Sequence, residues 1–297
     1  MSTFGAMVDD TIAYLSGYTG YQDQATYLTS TVDFGATTLP VFDSSAMSRG
    51  LVEIEDELVW VDTVDTSNQV LKVPPYGRGF RSTTAVTHTV GTRVVAAPMF
   101  PRRQVAQALN DAIQAIYPNV SGIGSTTFTF NPAVSTYSLP TGSEDILQVK
   151  WQSPGPSKEW LPVRRWDIDS SAVASAFATG SSISIYDAIV PGRTVSVVYT
   201  KQPSVLVNKA DDFATVTGLP QSCEDLVRLG AAYRLIPFID SPHLAGLSAE
   251  ADLSSNMRPV GGAGALGKQI LQMYRLRLQE ETSRQQALFP VRVHYTR

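Results

Sequence analysis

One segment of the sequence has residue types and spacing that could bind a phosphate group. Gly262, Gly264 and Gly267 have the spacing of a dinucleotide-binding GxGxxG motif, and with Lys268 they also fit the GxxxxGK pattern of a phosphate-binding loop. Both motifs lie between a buried strand and a helix start, and no apolar strand precedes Gly262. Gln269 replaces the hydroxyl that would bind magnesium. We interpret the segment as a flexible loop between helices, with a nucleotide-binding enzyme using Gly262 to Lys268 as an alternative.

Acidic side chains cluster at Glu53, Glu55, Asp56 and Glu57, where paired carboxylates could bind a hard cation. Their spacing is not that of an EF-hand loop. Alternation along a strand places the three glutamates on one face. We predict that this face is the solvent-exposed side of a hairpin.

Histidine and cysteine do not complete a catalytic or metal site. The three histidines are far apart and lack zinc-ligand spacing, and the sequence contains no GxSxG nucleophile motif. The single cysteine, Cys223, lies among apolar residues of a predicted helix, so we expect a buried structural thiol. The sequence therefore predicts neither an enzyme nor a cofactor or metal site.

Charged residues supply candidates for contact with DNA phosphates or a neighbouring protein. The formal net charge is −4 and the pI is near 5.4, so a DNA contact must be local or weak. Two cations surround Phe80 in a predicted turn, a plausible phosphate contact, although solvated turn cations are the alternative. The candidates are Arg78, Arg81, Arg275 and Arg277.

The amino-terminal segment and the apolar runs indicate a protein that is cytosolic in origin or assembled from the cytosol. The segment MSTFGAMVDDTIAYL contains two aspartates and no basic region, unlike a signal peptide. No apolar run approaches membrane-spanning length, so we expect no membrane partner.

Hydrophobic periodicity predicts an α+β fold in which amino-terminal, middle and carboxy-terminal helices form a core with two inserted antiparallel β modules. Residues 1–20 contain the first helix and residues 101–120 the middle one. A small meander or barrel is predicted for residues 30–98 and a β-sandwich for residues 123–206. Residues 219–287 form the carboxy-terminal helical region.

The last predicted helix has apolar side chains on more than one face, which indicates two neighbours. Its main stripe consists of Leu266, Ile270, Met273 and Tyr274. Pro290 ends the helical pattern, and residues 288–297 continue as an extended tail of alternating side chains. Such a tail cannot bury itself, but it can add to a sheet edge or lie in a groove of another subunit.

Three tryptophans of the predicted sandwich support a second alternative. Trp151, Trp160 and Trp166 are expected to be exposed, together with nearby tyrosines. The region 123–206 could then be a sugar-binding or adhesion module.

Three separated segments resemble one family of proteins. The segments are GLVEIEDELVWVDTVDTSNQVLKV with PYGRGFRSTTAVTHTVGTRV, then FPRRQVAQALNDAIQAIYPNV, then LQMYRLRLQEETSRQQALFPVRVHYTR. They resemble head-to-tail adaptor (head-completion or connector) proteins of tailed bacteriophages, in particular those of actinobacterial siphophages. The resemblance covers residues 50–120 and 268–297.

The resemblance implies a structural protein of the phage neck. Such proteins form a ring, usually dodecameric, under the portal, with β modules facing outward or toward the next neck or tail protein, a stopper or tail terminator. The ring links capsid to tail and continues the channel through which double-stranded DNA passes with transient, non-specific contacts. The protein is then assembled in the host cytoplasm and located at the head–tail interface of the virion.

The resemblance also assigns roles to the helices and the tail. It implies that helices pack within the ring through Val105, Leu109, Ile113 and Ile116 of the middle helix and through Leu266, Ile270, Met273 and Tyr274 of the last helix. It also implies that the tail contacts the portal or a neighbouring subunit through Leu288, Phe289, Pro290, Val291, Arg292, Val293, His294, Tyr295 and Arg297.

Overall fold

A computed structural model describes residues 2–18, 23–156, 158–238 and 262–290. These residues form five α-helices and four antiparallel sheets, which confirms the mixed helix and sheet class predicted from the sequence. None of the described helices is both long enough and apolar enough to cross a membrane.

The chain forms two compact units, each built from separate stretches of sequence. The sandwich unit comprises Met1–Phe4, Asn110–Leu229 and Gln272–Arg297. The small-sheet unit comprises Gly5–Leu109 and Gly230–Leu271.

The small-sheet unit contains seven short strands in two sheets. One sheet has the order β1-β7-β3-β4 and the other the order β2-β6-β5. The strands are β1 (Gln24–Tyr27), β2 (Thr38–Pro40), β3 (Gly50–Ile54), β4 (Glu57–Val61), β5 (Thr63–Asp65), β6 (Val70–Lys72) and β7 (Arg93–Ala96).

The described strands of this unit do not close into a barrel, so that part of the prediction is wrong. Strand β7 pairs with both β1 and β3, which joins the first and last strands of the unit within one sheet. Strand β1 was missed because its sequence, Gln-Ala-Thr-Tyr, has little apolar alternation, and only its register with β7 identifies it. Both sheets contribute to one core, with Leu39 and Leu71 from one and Val52, Ile54 and Val94 from the other.

The sandwich unit contains two sheets that share a second core. Their orders are β11-β10-β14-β8 and β12-β13-β9, consistent with the two-sheet module predicted from the sequence. Val149, Val195 and Val197 pack with Ile183 and Ile185 from the other sheet. The strands are β8 (Gly122–Thr129), β9 (Thr136–Ser138), β10 (Ile146–Gln152), β11 (Trp160–Pro162), β12 (Trp166–Asp169), β13 (Ser182–Ile185) and β14 (Thr194–Lys201).

The expectation of three exposed tryptophans in this unit is wrong. Trp166 is buried and Trp151 packs against the same core, because both lie on inward-facing positions of their strands. Only Trp160 of the three is exposed, at the edge strand β11. The sugar-binding alternative therefore loses the aromatic platform that motivated it.

The five helices are α1 (Phe4–Ser16), α2 (Arg102–Ala115), α3 (Phe213–Thr217), α4 (Cys223–Leu235) and α5 (Gly262–Leu288). The backbone N–H groups of Gln104 and Val105 donate to the Pro101 carbonyl, so α2 starts directly after the proline that suits a first turn. The Asp212 carboxylate accepts from the Thr215 N–H, and the left-handed Gly218 follows the last turn of α3.

The predicted loop at Gly262 to Lys268 is wrong, because Gly262–Leu288 is one helix. Alanine, leucine, lysine and glutamine alternate with the glycines and have high helix propensity, which offsets the cost of about 1 kcal/mol per glycine. A phosphate-binding motif needs these glycines in a loop after a strand. The helical backbone of this segment does not provide such a loop, so nucleotide binding has no support here.

The apolar stripe of α2 belongs to the interior of a single chain. Val105, Leu109, Ile113 and Ile116 all have no exposed surface, so they cannot also contact a neighbouring subunit. Ile270 is similarly buried, whereas Leu266 and Tyr274 are half-buried. A ring contact through the predicted stripes would therefore have to use Met273 and the partly exposed residues of α5.

Candidate functional site

The acidic hairpin between β3 and β4 is the most highly organised polar site among the described residues. Glu53 is 6% exposed and Glu57 is 1% exposed. The predicted solvent face is therefore wrong for both residues, because polar groups that follow in the sequence cover the hairpin. Glu55 and Asp56, at the turn, keep exposed side chains, and the backbone of Glu55 is left-handed.

The Glu57 carboxylate accepts five hydrogen bonds. Arg78 donates through Nε at 2.7 Å and Nη2 at 2.9 Å, and His88 donates through Nε2 at 2.8 Å. The backbone N–H groups of Gly79 and Val86 donate at 2.9 Å and 3.1 Å. A buried carboxylate is tolerated when its lone pairs are satisfied in this way, and the bidentate arginine supplies the opposite charge.

These bonds control the charge state of Glu57. Burial acts to raise the pKa of the Glu57 carboxyl, but the bonds from Arg78, His88, Gly79 and Val86 together outweigh burial and lower that pKa to about 2. The carboxylate is therefore ionised at neutral pH. Because its pKa is depressed, its contribution to stability is present above the unfolded-state pKa and is lost as the pH falls toward 2.

Arg78 and His88 extend the cluster to the surrounding backbone. Arg78 also donates from Nη1 to the Asp33 carbonyl at 2.6 Å and from Nη2 to the Val86 carbonyl at 2.7 Å, and its side chain is 6% exposed. The other ring nitrogen of His88 lies 3.0 Å from the Glu55 carboxylate. Both ring nitrogens of His88 therefore lie within hydrogen-bonding distance of a carboxylate. Arg78 is accordingly an internal cation and not the exposed turn cation that we predicted.

A second buried carboxylate lies at the start of α2. Glu53 accepts from the Arg102 backbone N–H at 2.7 Å, while the Arg102 guanidinium pairs with Asp9 and, at 3.0 Å, with Asp56. Burial raises the pKa of Glu53 to about 7, and the Arg102 bond only partly offsets this effect. Folding therefore holds this carboxyl near its titration midpoint at neutral pH.

In the sandwich unit, α4 and α5 are joined by a cluster centred on Glu281, which is 2% exposed. Its carboxylate accepts from the Ser222 hydroxyl at 2.8 Å and pairs with Arg277 at 3.3 Å and Arg284 at 3.4 Å. Arg277 also pairs with Asp225 and Glu280. The positive charge of Arg277 is thus committed within the chain, unlike that of the exposed Arg275, which was predicted for the same role.

Cys223 lies beside this cluster and confirms the prediction of a buried structural thiol. Burial, together with the nearby Glu281 carboxylate, raises the pKa of the Cys223 thiol to about 12. A thiol with such a pKa remains protonated at neutral pH and is a poor nucleophile or metal ligand. Within the described ranges, histidine, cysteine and acidic side chains form no group of three that could hold a metal ion.

The surface of α5 carries apolar side chains in contact with solvent. Met273 is 43% exposed, and Leu276, one turn later, is 61% exposed. At the end of the helix Leu288 is exposed, Phe289 is half-buried and Pro290 is exposed. The remaining residues of the predicted portal-binding segment, 291–297, lie outside the described part of the chain.

Sequence reasoning missed the roles of His88, Arg103 and Glu281. The carboxylate partners of His88 and the Ser222 partner of Glu281 are more than thirty residues away in the sequence, so no local spacing indicated these contacts. Arg277 and Arg284, the other partners of Glu281, lie within one turn of it on the same helix. One signal was available: Glu57 precedes the apolar run Leu-Val-Trp-Val, and a charged residue within a buried strand requires a partner.

Comparison with known proteins identifies a related family. The model of the SU10 adaptor protein family matches residues 78–287, which is 210 of the 297 residues. No curated protein matches the chain. The matched region begins at Arg78 and includes α2, the sandwich strands and nearly all of α5.

Replacing Glu57 tests whether its cluster holds the small-sheet unit together. We expect Glu57→Gln to lower the free energy of unfolding by about 3 to 5 kcal/mol, because the charge of buried Arg78 loses its partner. Asp62→Asn is the matched control, since the Arg49–Asp62 pair is exposed and should contribute at most about 1 kcal/mol. Urea unfolding of the three proteins provides the measurement. Equal losses in the two variants would contradict the assignment.

Glu53 predicts a pH dependence of the opposite sign. Because folding raises the pKa of this carboxyl from 4.5 to about 7, its ionisation opposes folding, and stability decreases as the pH rises through that window. Glu53→Gln keeps an acceptor for the Arg102 N–H and should raise the free energy of unfolding at pH 8 by roughly 2 to 3 kcal/mol.

Unfolding free energies measured from pH 4 to pH 8 check this expectation. The decrease should be smaller in Glu53→Gln than in the unmodified protein. Replacement of the exposed carboxylate in Glu159→Gln serves as the control and should leave the slope unchanged. An identical slope in all three proteins would show that Glu53 does not titrate in this range.

Proposed function

Since the chain belongs to the SU10 adaptor protein family, we propose that it is a structural head-to-tail adaptor of a phage neck. The observation that carries this proposal is the family match over residues 78–287. In the proposed role, copies of the chain form a ring under the portal, link the capsid to the tail and continue the DNA channel. The role is mechanical and requires neither a cofactor nor a catalytic residue.

The exposed side of α5 supports the proposed ring. Met273 and Leu276 present apolar surface one helical turn apart, and exposed apolar surface is typical of association sites. Leu276 lies off the stripe formed by Leu266, Ile270, Met273 and Tyr274, and apolar residues on a second face of this helix indicate a second neighbour. We infer that an adjacent copy covers these two side chains. The copy number, usually twelve in proteins that the sequence resembles, is part of the proposal.

The segment 288–297 is proposed to contact the portal or a neighbouring subunit. Leu288 leaves the helix with 66% of its surface exposed, so apolar surface is already available where the segment begins. The alternation of Val291, Val293 and Tyr295 with polar residues favours an extended strand that adds to a sheet edge. The portal is the partner that the proposed position in the neck supplies.

The overall charge is compatible with a channel wall. A protein with formal net charge −4 does not attract DNA over its whole surface, so DNA can pass without stable binding. We further propose that a β module contacts the next neck or tail protein, a stopper or tail terminator. The protein would act in the virion after assembly in the host cytoplasm.

A charge placed on the exposed side of α5 tests the ring. We expect Leu276→Glu to remain folded, because the side chain is already in water, but to abolish ring formation at concentrations where the unmodified protein assembles. Lys268→Gln, an exposed change on the same helix that removes a charge, is the control and should assemble. Mass photometry and negative-stain images measure the outcome. Normal rings of Leu276→Glu would contradict the proposed contact.

Removal of residues 288–297 tests the portal contact. We expect the shortened protein to fold, because Leu288 and Pro290 are exposed, but to fail to join DNA-filled heads that carry the portal. Co-sedimentation with such heads provides the measurement. As a control, Val291, Val293 and Tyr295 are replaced together by serine, which keeps the length and should reproduce the defect. Normal attachment of either variant would overturn the assignment.

A further inference from the structure

The turn between β6 and β7 has an unusual backbone. Gly79, Arg81 and Ser82 adopt left-handed conformations with φ of 59°, 53° and 61°. Glycine adopts this conformation freely, but each of the other two residues is disfavoured there. Non-glycine residues keep such a conformation only where the surrounding structure fixes it, and these positions concentrate at functional sites.

The surrounding contacts fix this turn at both ends. The Gly79 N–H donates to buried Glu57, and the Thr83 hydroxyl donates to the Phe80 carbonyl at 2.9 Å while it accepts from the Leu58 N–H at 3.0 Å. The Phe80 ring packs on Trp60 with the ring centroids 5.5 Å apart. The turn is therefore a rigid extension of β4.

The Arg103 side chain of α2 binds backbone carbonyl groups of this turn. Its Nη1 donates to the carbonyl of Arg81 at 3.1 Å and to the carbonyl of Ser82. One nitrogen of the guanidinium is used in this contact, and the side chain remains exposed. The Arg81 guanidinium lies 6.0 Å from the centre of the Phe80 ring and is exposed as well. Two cations are thus presented at one rigid turn.

The arginines nearest to Arg81 and Arg103 in sequence are neutralised by carboxylates. Arg78 is paired with Glu57, and Arg102 is paired with Asp9 and Asp56. Among the described residues, no carboxylate lies within ion-pair distance of the Arg81 or Arg103 guanidinium. The hairpin carboxylates are already engaged by other donors, so they do not compete for these two side chains.

We propose that Arg81 and Arg103 form a binding site for the phosphodiester backbone of double-stranded DNA. The guanidinium group offers a planar fork of donors that matches phosphate oxygens, and two such groups at one turn can contact one phosphate or adjacent ones. Backbone contacts of this kind position DNA without reading its sequence. The proposal rests on the proposed function, in which DNA passes this protein.

Of the four arginines predicted from the sequence, only Arg81 belongs to this site. Arg78 and Arg277 are held by internal carboxylates, and Arg103 was not among the four. We expect the affinity of this site for DNA to be low, because two phosphate contacts by a chain of net charge −4 release few counterions. A low affinity suits DNA that has to move through the channel of the proposed ring.

A salt titration with a labelled 30-base-pair duplex of mixed sequence tests the site on the assembled full-length protein. Binding should be detectable at 50 mM salt and fall steeply by 200 mM. Arg81→Gln should reduce the slope of log K against log salt by about 1, and Arg81→Gln with Arg103→Gln by about 2. Arg49→Gln removes an exposed arginine that is paired with Asp62 and should leave the slope unchanged.

If Arg103→Gln disturbs the turn, Arg81→Gln alone tests the site. This single change keeps the backbone carbonyl of residue 81, which Arg103 contacts. Undetectable binding by the unmodified protein, or an unchanged slope in Arg81→Gln, would overturn the site. Equal competition by polyglutamate at matched charge would also overturn it, since the site would then prefer carboxylates of a protein. Images of the same samples show whether rings form, so failure of the site is distinguishable from failure of the proposed adaptor role.

Discussion

A carboxylate removed from water has to be surrounded by hydrogen-bond donors, and the small-sheet unit is organised around that requirement at Glu57. Its donors come from Arg78, Gly79, Val86 and His88, which follow it by more than twenty residues. These hydrogen bonds therefore hold the long connection between β6 and β7 against β4. Loss of one donor would leave charge exposed to a low dielectric, so the whole connection is held in one arrangement.

This constraint also separates structural charges from charges that remain available. Arg78 and Arg277 neutralise internal carboxylates and are part of the fold. Arg81 lies only three residues from Arg78, yet it is exposed, and its guanidinium lies 6.0 Å from the centre of the Phe80 ring. Residues of one type in one turn thus have opposite roles, and burial decides between them.

The helix α5 shows the same division for apolar residues. Ile270 is buried, whereas Leu276 is mainly in water although it is no less apolar. Membership of the adaptor family offers a reason for the exposure of Leu276, because an adaptor has to associate with other proteins. Buried Glu281 and its partner Arg277 anchor the same helix to the start of α4 through polar and charged groups at Ser222 and Asp225, while Leu276 remains exposed.

The amino-acid sequence by itself determined the classes of element and the family. The apolar stripe of α2, the alternating strands and the buried Cys223 follow from local periodicity, and three separated segments carried the adaptor resemblance. Tertiary structure alone decided the sheet order, the helical state of Gly262 to Lys268 and the burial of Glu53 and Glu57. The physical reason is that strand pairing and charge neutralisation depend on residues far apart in the chain, whereas periodicity reports only on which side of an element is apolar.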